Sequence, residues 1–423
     1  MVAKIVITGM GVLSPYGVGP DVLWEKLLAG ESGITPLTAF DTSHLQCRAG
    51  GQLLDFKPTN YLSPRVVRKI DLFSTYALVA VQAALKQADL LLESGKPKWS
   101  QQEQGSNRVG LCIGNNLGGW QYAERELRHL WQQGPREVSP YMATAWFPAA
   151  VQGNMSIQYG IKGIGRTFLS DRASAAMSIG HAADCLQRGK VDIMIAGGTE
   201  APFSPYAALC YETSGLMSKQ AQTQSSDSYR PFDARHDGLV AADGAAFFVL
   251  ERAEDALERG APILAELSGW ASTYDGYDAV QPAPDGQRYA AAMTQALKKA
   301  NKSAQEVDCI FAAGSAVPNE DISETRAIRL AFEGAAERVP VSTPKAAFGN
   351  MFGAATAVDM AIAIQAMRQH IIPGTLNLDQ VAPECDLDYV PNTARPVEQL
   401  DTCLVNARGI GGTNASLVLQ SWS

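Results

Sequence analysis

One local pattern recurs ten times along the chain and constrains its fold more than any other feature. A short β-branched or apolar run leads into a turn, and a helical pattern follows most of these turns. In the first half the runs are "AKIVITGMG" (3–11), "RVGLCIGNN" (108–116), "RTFLSD" (166–171), "VDIMIAGGTE" (191–200) and "AAFFVLE" (245–251). In the second half they are "ILAELSGWAS" (263–272), "VDCIFAAGSA" (307–316), "VPVSTPK" (339–345), "TCLVNARG" (402–409) and "ASLVLQ" (415–420). Segments such as "FSTYALVAVQAALKQADL" and "AVDMAIAIQAMRQHI" carry the helical pattern between them. Strands alternating with helices predict α/β layers. Five runs per half, in matching order, predict an internal duplication, with halves at 1–255 and 256–423. "VDIMIAGG" and "VDCIFAAG" are the most similar pair across the halves. Residues 214–244 are polar and without period, a long ordered excursion, and 93–107 are a second polar insertion.

Composition excludes several classes of function. Hydrophobic residues make up 46% and charged residues 18%, enough for sheets buried on both faces. The formal net charge is -8, with no strongly basic segment. That argues against nucleic acid and anionic membranes as partners. It also makes the chain a poor basic landing pad for an acidic carrier. No apolar run approaches the ~20 residues of a membrane span. The start "MVAKIVITGMGVLSP" opens directly on a strand, without a signal-peptide pattern. Seven cysteines are scattered singly, without a CxxC pair or metal-ligand spacing to the five histidines. They read as reduced thiols of a cytoplasmic protein, with no metal and no cofactor implied.

The stretch 168–200, "FLSDRASAAMSIGHAADCLQRGKVDIMIAGGTE", has the shape of a nucleophile elbow. A strand enters a tight polar turn, and a helix opens with small residues. Arg172 stands where the nucleophile belongs. A guanidinium is always protonated and is neither nucleophile nor base. Ser170 and Ser174 are close, but no histidine within these motifs is placed to activate them. His181, two turns along the helix, reads as a packing or interface residue.

Four motifs then point to one family. "TGMGVLSPYG" (8–17), "SIGHAADCLQRGKVDIMIAGGTE" (178–200), "YRPFDARHDGLVAADGAAFFVLE" (229–251) and "GIGGTNASLVL" (409–419) together resemble the β-ketoacyl synthases of the thiolase fold. The resemblance implies a thiolase-like αβαβα sandwich built from two duplicated βαβαβαββ halves, and an obligate dimer. It also implies a catalytic Cys and two His. The Cys takes up the acyl chain at a helix N-terminus, which lowers its pKa. The histidines stabilise the enolate left by decarboxylation.

Each of those positions is replaced here. The elbow Cys, seven residues before the Ile of "IGHAA", is Arg172. The His of the pattern HGTxTxxGD is Ala313 in "AAGSAVPNED", followed by Gly314, Pro318 and Asp321, with Asp321 retained. The His of KxxxGHxxGAAG is Asn350 in "KAAFGNMFGAAT", with Lys345 retained. No independent condensing activity is expected.

The losses resemble the chain-length factors of type II polyketide synthases, the non-catalytic partners of active ketosynthases. Residues 125–163 and 307–328 resemble that subfamily more than active synthases, although the subfamily usually has Gln at the elbow. The resemblance implies a heterodimer with an active ketosynthase. A phosphopantetheine-bearing acyl carrier protein would dock mainly on that partner. The inert chain would shape the partner's tunnel and set polyketide chain length. By position, Leu117 and Met142 are candidate tunnel walls, and Trp120, Tyr122, Tyr141 and Phe147 lie beside them. Ile410 takes the position of a Phe gate. A buried Arg172 must be paired; Asp171, Asp243 or a carboxylate of the partner subunit are candidates, and the pair would plug the vestigial pocket. Two rival readings are a malonyl-carrier decarboxylase or acyltransferase using Arg172 or Asn350, and a homodimeric acyl-binding homologue.

Overall fold

The computed structural model describes residues 3–222 and 226–422. All ten predicted runs form strands: β1 (Ile5–Ser14), β2 (Val109–Gly114), β3 (Gly165–Phe168), β4 (Ile193–Glu200), β5 (Gly244–Arg252), β6 (Ala265–Tyr274), β7 (Cys309–Phe311), β8 (Val341–Ser342), β9 (Thr402–Gly409) and β10 (Thr413–Gln420). The helices that matter below are α1 (Leu72–Gln87), α2 (Trp120–Gln133), α3 (Ala150–Tyr159), α4 (Ser174–Gln187), α5 (Pro205–Ser214), α6 (Gln287–Lys299), α7 (Pro318–Phe332) and α8 (Ala355–Gln369).

The strands join in one eleven-stranded sheet; the short strand Gly17–Val18 hangs on β1, and the other ten run β8-β7-β9-β10-β6-β1-β5-β4-β2-β3. Counted within each half, the order is 3-2-4-5-1 in both, placed back to back. Directions match too. The second strand of each half is parallel to the third and fourth, and the fifth is antiparallel to the fourth and first. The halves meet where Ile5–Ile7 of β1 pair with 265–267 of β6.

Five layers result. Helices α4 and α8 pack on each other and touch strands of both halves, so they form the middle layer. Helix α1 covers β1 and β5 from one side, and α6 covers β6 and β10 from the other. The motif "TGMG" serves the first of these contacts. A Cβ on Gly9 or Gly11 would come within 2.2 or 2.0 Å of α1 carbonyl oxygens, so only glycine lets β1 and α1 touch.

Two strands are shorter than their apolar runs. The run 307–316 stops pairing after Phe311, because Glu324 captures the backbone N–H groups of Ala313 and Gly314 at 2.9 Å each. The run 339–345 pairs only at Val341–Ser342, and a 3-10 turn opens at Pro344. The polar excursion 214–244 is tied down by charge. Asp233 accepts the backbone N–H groups of Asp379 and Gln380 at 2.9 Å each. Residues 223–225 of that excursion lie outside the described residues. Among the described residues, no helix is long and apolar enough to cross a membrane.

Candidate functional site

The elbow forms as its sequence suggests. Strand β3 ends at Phe168, Asp171 takes a left-handed φ of 50°, and α4 begins at Ser174. The Ser174 hydroxyl donates to the Asp171 carbonyl at 2.6 Å and accepts the Ser170 N–H at 2.8 Å. It closes the turn and has no base beside it.

Arg172 is buried, at 4% exposure. Its Nη1 and Nη2 donate to the two carboxylate oxygens of Glu320 at 2.7 and 2.9 Å, and its Nε donates to Asp171 at 3.0 Å. Such a two-pronged pair is the geometry a guanidinium satisfies best. Burial opposes its charge, but the Glu320 and Asp171 carboxylates outweigh that and hold Arg172 well above its ordinary value. Burial likewise opposes the charge of Glu320, yet Arg172 keeps this carboxylate below its usual range. Glu320 lies in the first turn of α7, where the helix dipole also favours an anion. Asp171 is therefore a partner, as the sequence suggested. Asp243 is not: its carboxylate accepts the Leu53 N–H at 3.1 Å, and burial pushes it up to about 7. The chain itself supplies the second carboxylate, so none is required from another subunit.

Arg172, Ala313, Lys345 and Asn350, brought from three distant segments, line one space together with Arg408, Asn406 and Asp359. That space measures about 10 Å³, room for one water at most. Lys345 donates to the Ala312 and Ala313 carbonyls at 2.8 and 3.1 Å and pairs with Asp359 at 2.7 Å. Burial pushes Asp359 up to about 6 despite that pairing. The Asn350 amide is used at both ends: Nδ2 donates to the Tyr229 hydroxyl at 3.2 Å, and Oδ1 accepts the Phe352 N–H at 2.9 Å. Asp321 lies behind this layer. It accepts the N–H groups of Ser315 and Ala316 at 3.0 and 3.1 Å and meets His236 Nδ1 at 2.9 Å.

Leu117 and Ile410 pack against one apolar cluster that holds Tyr211 of α5 and Phe352. Those two rings stack with centres 4.2 Å apart. The Trp120 ring lies tilted against Tyr206, their centres 4.5 Å apart. Tyr122 is buried, and its hydroxyl meets Ser139 at 2.8 Å. Met142 is half-buried on the short helix Met142–Trp146, while Tyr141 and Phe147 beside it are exposed. These five surround α2 and the 139–147 segment and do not line the space at Arg172. His181 is half-buried against Phe168, with Cys185 Sγ 3.5 Å from its ring, and does not line that space. All seven cysteines are free, and only Cys210 is exposed.

Sequence reasoning missed Glu320 and Arg408. The signal for Glu320 was present, because it occupies the Gly position of HGTxTxxGD. Arg408 immediately precedes "GIGGTN". It is buried, with its guanidinium 4.7 Å from the Tyr289 ring centre and Nε 2.9 Å from Asn414.

Fold and centre together define a thiolase-like scaffold whose elbow holds a buried ion pair. The chain belongs to the β-ketoacyl synthase family. Residues 3–256 match the family description "Beta-ketoacyl synthase, N-terminal domain", and residues 264–379 match "Beta-ketoacyl synthase, C-terminal domain". It is 35% identical to the 3-oxoacyl-[acyl-carrier-protein] synthase 2 of Coxiella burnetii, covering 99% of this chain and 98% of that one. The namesake from Synechocystis is 34% identical at the same coverage. Among solved structures, the ishigamide ketosynthase/chain length factor superposes with a TM-score of 0.89 at 26% identity, over 100% of both chains. A type II PKS acyl-carrier protein in complex with its ketosynthase bound to the hexaketide gives 0.88 at 26%, again over 100% of both.

Proposed function

We propose that this chain is the non-catalytic chain-length factor of a type II polyketide synthase. It pairs with an active ketosynthase and forms part of the tunnel that sets polyketide length. The observation that carries the reading is the filled centre. Cys, His and His are replaced by Arg172, Ala313 and Asn350, and about 10 Å³ remain among them. An acyl chain needs many times that volume. Asn350 and Arg172 each have their hydrogen-bonding groups engaged within the chain. That counts against either of them polarising a malonyl thioester, and so against the decarboxylase or acyltransferase reading.

A partner has a place to bind. Strand β3 ends the sheet, and Leu169, Ile157 and Phe147 near it are 56%, 83% and 53% exposed. An open edge with apolar neighbours is a template for another chain. Leu117 and Met142 are proposed as tunnel walls, with Trp120, Tyr122, Tyr141 and Phe147 supporting them and Ile410 packing at the gate position. The carrier protein is proposed to dock mainly on the active partner, and the pair to work in the cytoplasm.

Co-expression with a ketosynthase whose Cys-His-His set is intact tests the assignment. The chain should purify with it one-to-one and be poorly assembled alone. Isolated, it should not decarboxylate malonyl-carrier. Turnover that Arg172→Ala abolishes would overturn the assignment.

A further inference from the structure

The residue opposite Arg172 is as altered as Arg172 itself. Glu320 stands at a glycine position of the family pattern, 148 residues along the chain, and its side chain is buried with the guanidinium. Either charge alone would be untenable at that depth, because a buried ion without its partner is strongly destabilising. The two substitutions make sense only together. Their reach extends to the loop at 409–412: the Asp171 oxygen that accepts Arg172 Nε also accepts the backbone N–H of Ile410, at 2.9 Å. Arg408, just before that loop, meets Asp275 and Asn414 of the same half at 3.4 and 2.9 Å. Elbow, α7 and the gate-position loop are thus held by one set of buried charges.

We infer that Glu320 is the positioning residue that turns Arg172 into a plug, closing this subunit's own acyl site, while Asp171 ties the same guanidinium to the loop that carries Ile410. The inference rests on the reading of the chain as a chain-length factor. It adds that acyl thioesters are excluded from this chain by a charge pair, so that only the partner's site can be loaded. Loss of the nucleophile alone would leave an empty pocket open to such groups.

The test restores the family's residues. Arg172→Cys, alone and combined with Glu320→Gly, is made in the full-length chain, in whatever assembly it purifies. Alkylation of the introduced thiol by iodoacetamide is followed by peptide mass spectrometry, with exposed Cys210 as internal reference. In the single variant Glu320 stays beside the thiol and opposes its ionisation. In the double variant that opposition is gone, and the thiol should react at least tenfold faster relative to Cys210. Equal rates would show that the Glu320 carboxylate does not act on residue 172 and would overturn its positioning role. Should either variant fail to fold, Glu320→Gln and Glu320→Asp decide the matter by thermal midpoint. Asp keeps the charge and should recover part of the midpoint lost in Gln, although Gln is the closer match in size. A Gln variant melting with the wild type would sink the inference. Neither readout involves a product or the partner's catalysis. A chain that co-purifies with a ketosynthase but alkylates equally refutes only the plug. A chain that never pairs refutes the assignment, whatever its thiol does.

Discussion

At the scale of single residues, the centre is a set of buried charges whose protonation controls stability. Lys345 and Asp359 are 2% and 1% exposed and lie 2.7 Å apart. Lys345→Met removes the cation and leaves a buried carboxylate, a change that costs about 3–5 kcal/mol when the remaining group stays charged. Asp359 already sits at about 6, and without Lys345 it rises further. Above that value the variant must bury a bare anion, and below it the carboxyl takes up a proton. Urea unfolding should therefore show a larger loss at pH 8 than at pH 5. An equal loss at both would contradict the proton uptake argued here. Asp243 gives a second pH test. Burial raises its carboxyl from the ordinary 3.8 to about 7, and its Oδ1 has no hydrogen-bond partner. A group raised in the folded state stabilises fully below its unfolded value, and that contribution fades as pH climbs through the folded value. Between about pH 4 and 7, Asp243→Asn should flatten part of the wild type's decline in stability. A slope unchanged from wild type would remove Asp243 as its source.

At the scale of elements, β3 is the exposed end of a long sheet. Ile164 and Phe168 turn their carbonyls to Leu111 and Asn115 on the β2 side. The alternate residues, Gly165 and Thr167, therefore face outward. Thr167→Pro removes an outward N–H and leaves the β2 ladder intact. It should lower co-purification with a ketosynthase severalfold while shifting the melting midpoint little. Full retention of the complex would exclude β3 as the contact. The ten strands were legible in the sequence because β-branched runs and Gly-rich turns are local signals. The ends of β7 and β8 were not, because Glu324 and the turn at Pro344 take over the backbone there. Glu320 stood out as a departure from the Gly of HGTxTxxGD, but its pairing with Arg172 did not, because the two lie 148 residues apart.

At the scale of the whole molecule, the duplication sets two copies of one strand order back to back around a shared middle layer. The core lies in the sheet and the paired middle helices α4 and α8, and Arg172, Ala313 and Asn350 are not among its apolar residues. On the proposed pairing, a second subunit would meet this one as a wall. In the reconstituted pair, Met142→Trp should shorten the polyketides resolved by mass spectrometry, because overpacking a tunnel costs more than the last carbons gain. An unchanged product distribution would remove Met142 from the wall.

The sequence by itself determined the fold class, the succession of strands along each half, the elbow, and the identities of Arg172, Ala313 and Asn350. Each of these is written in local pattern or in a residue's identity. Tertiary structure alone decided what surrounds Arg172. It brought Glu320 to Arg172 and turned Asp243 away. It set Tyr211 on Phe352 and left about 10 Å³ at the centre. The reason is physical: a buried charge is tolerable only beside its partner, and which residue becomes the partner is settled by how distant segments pack.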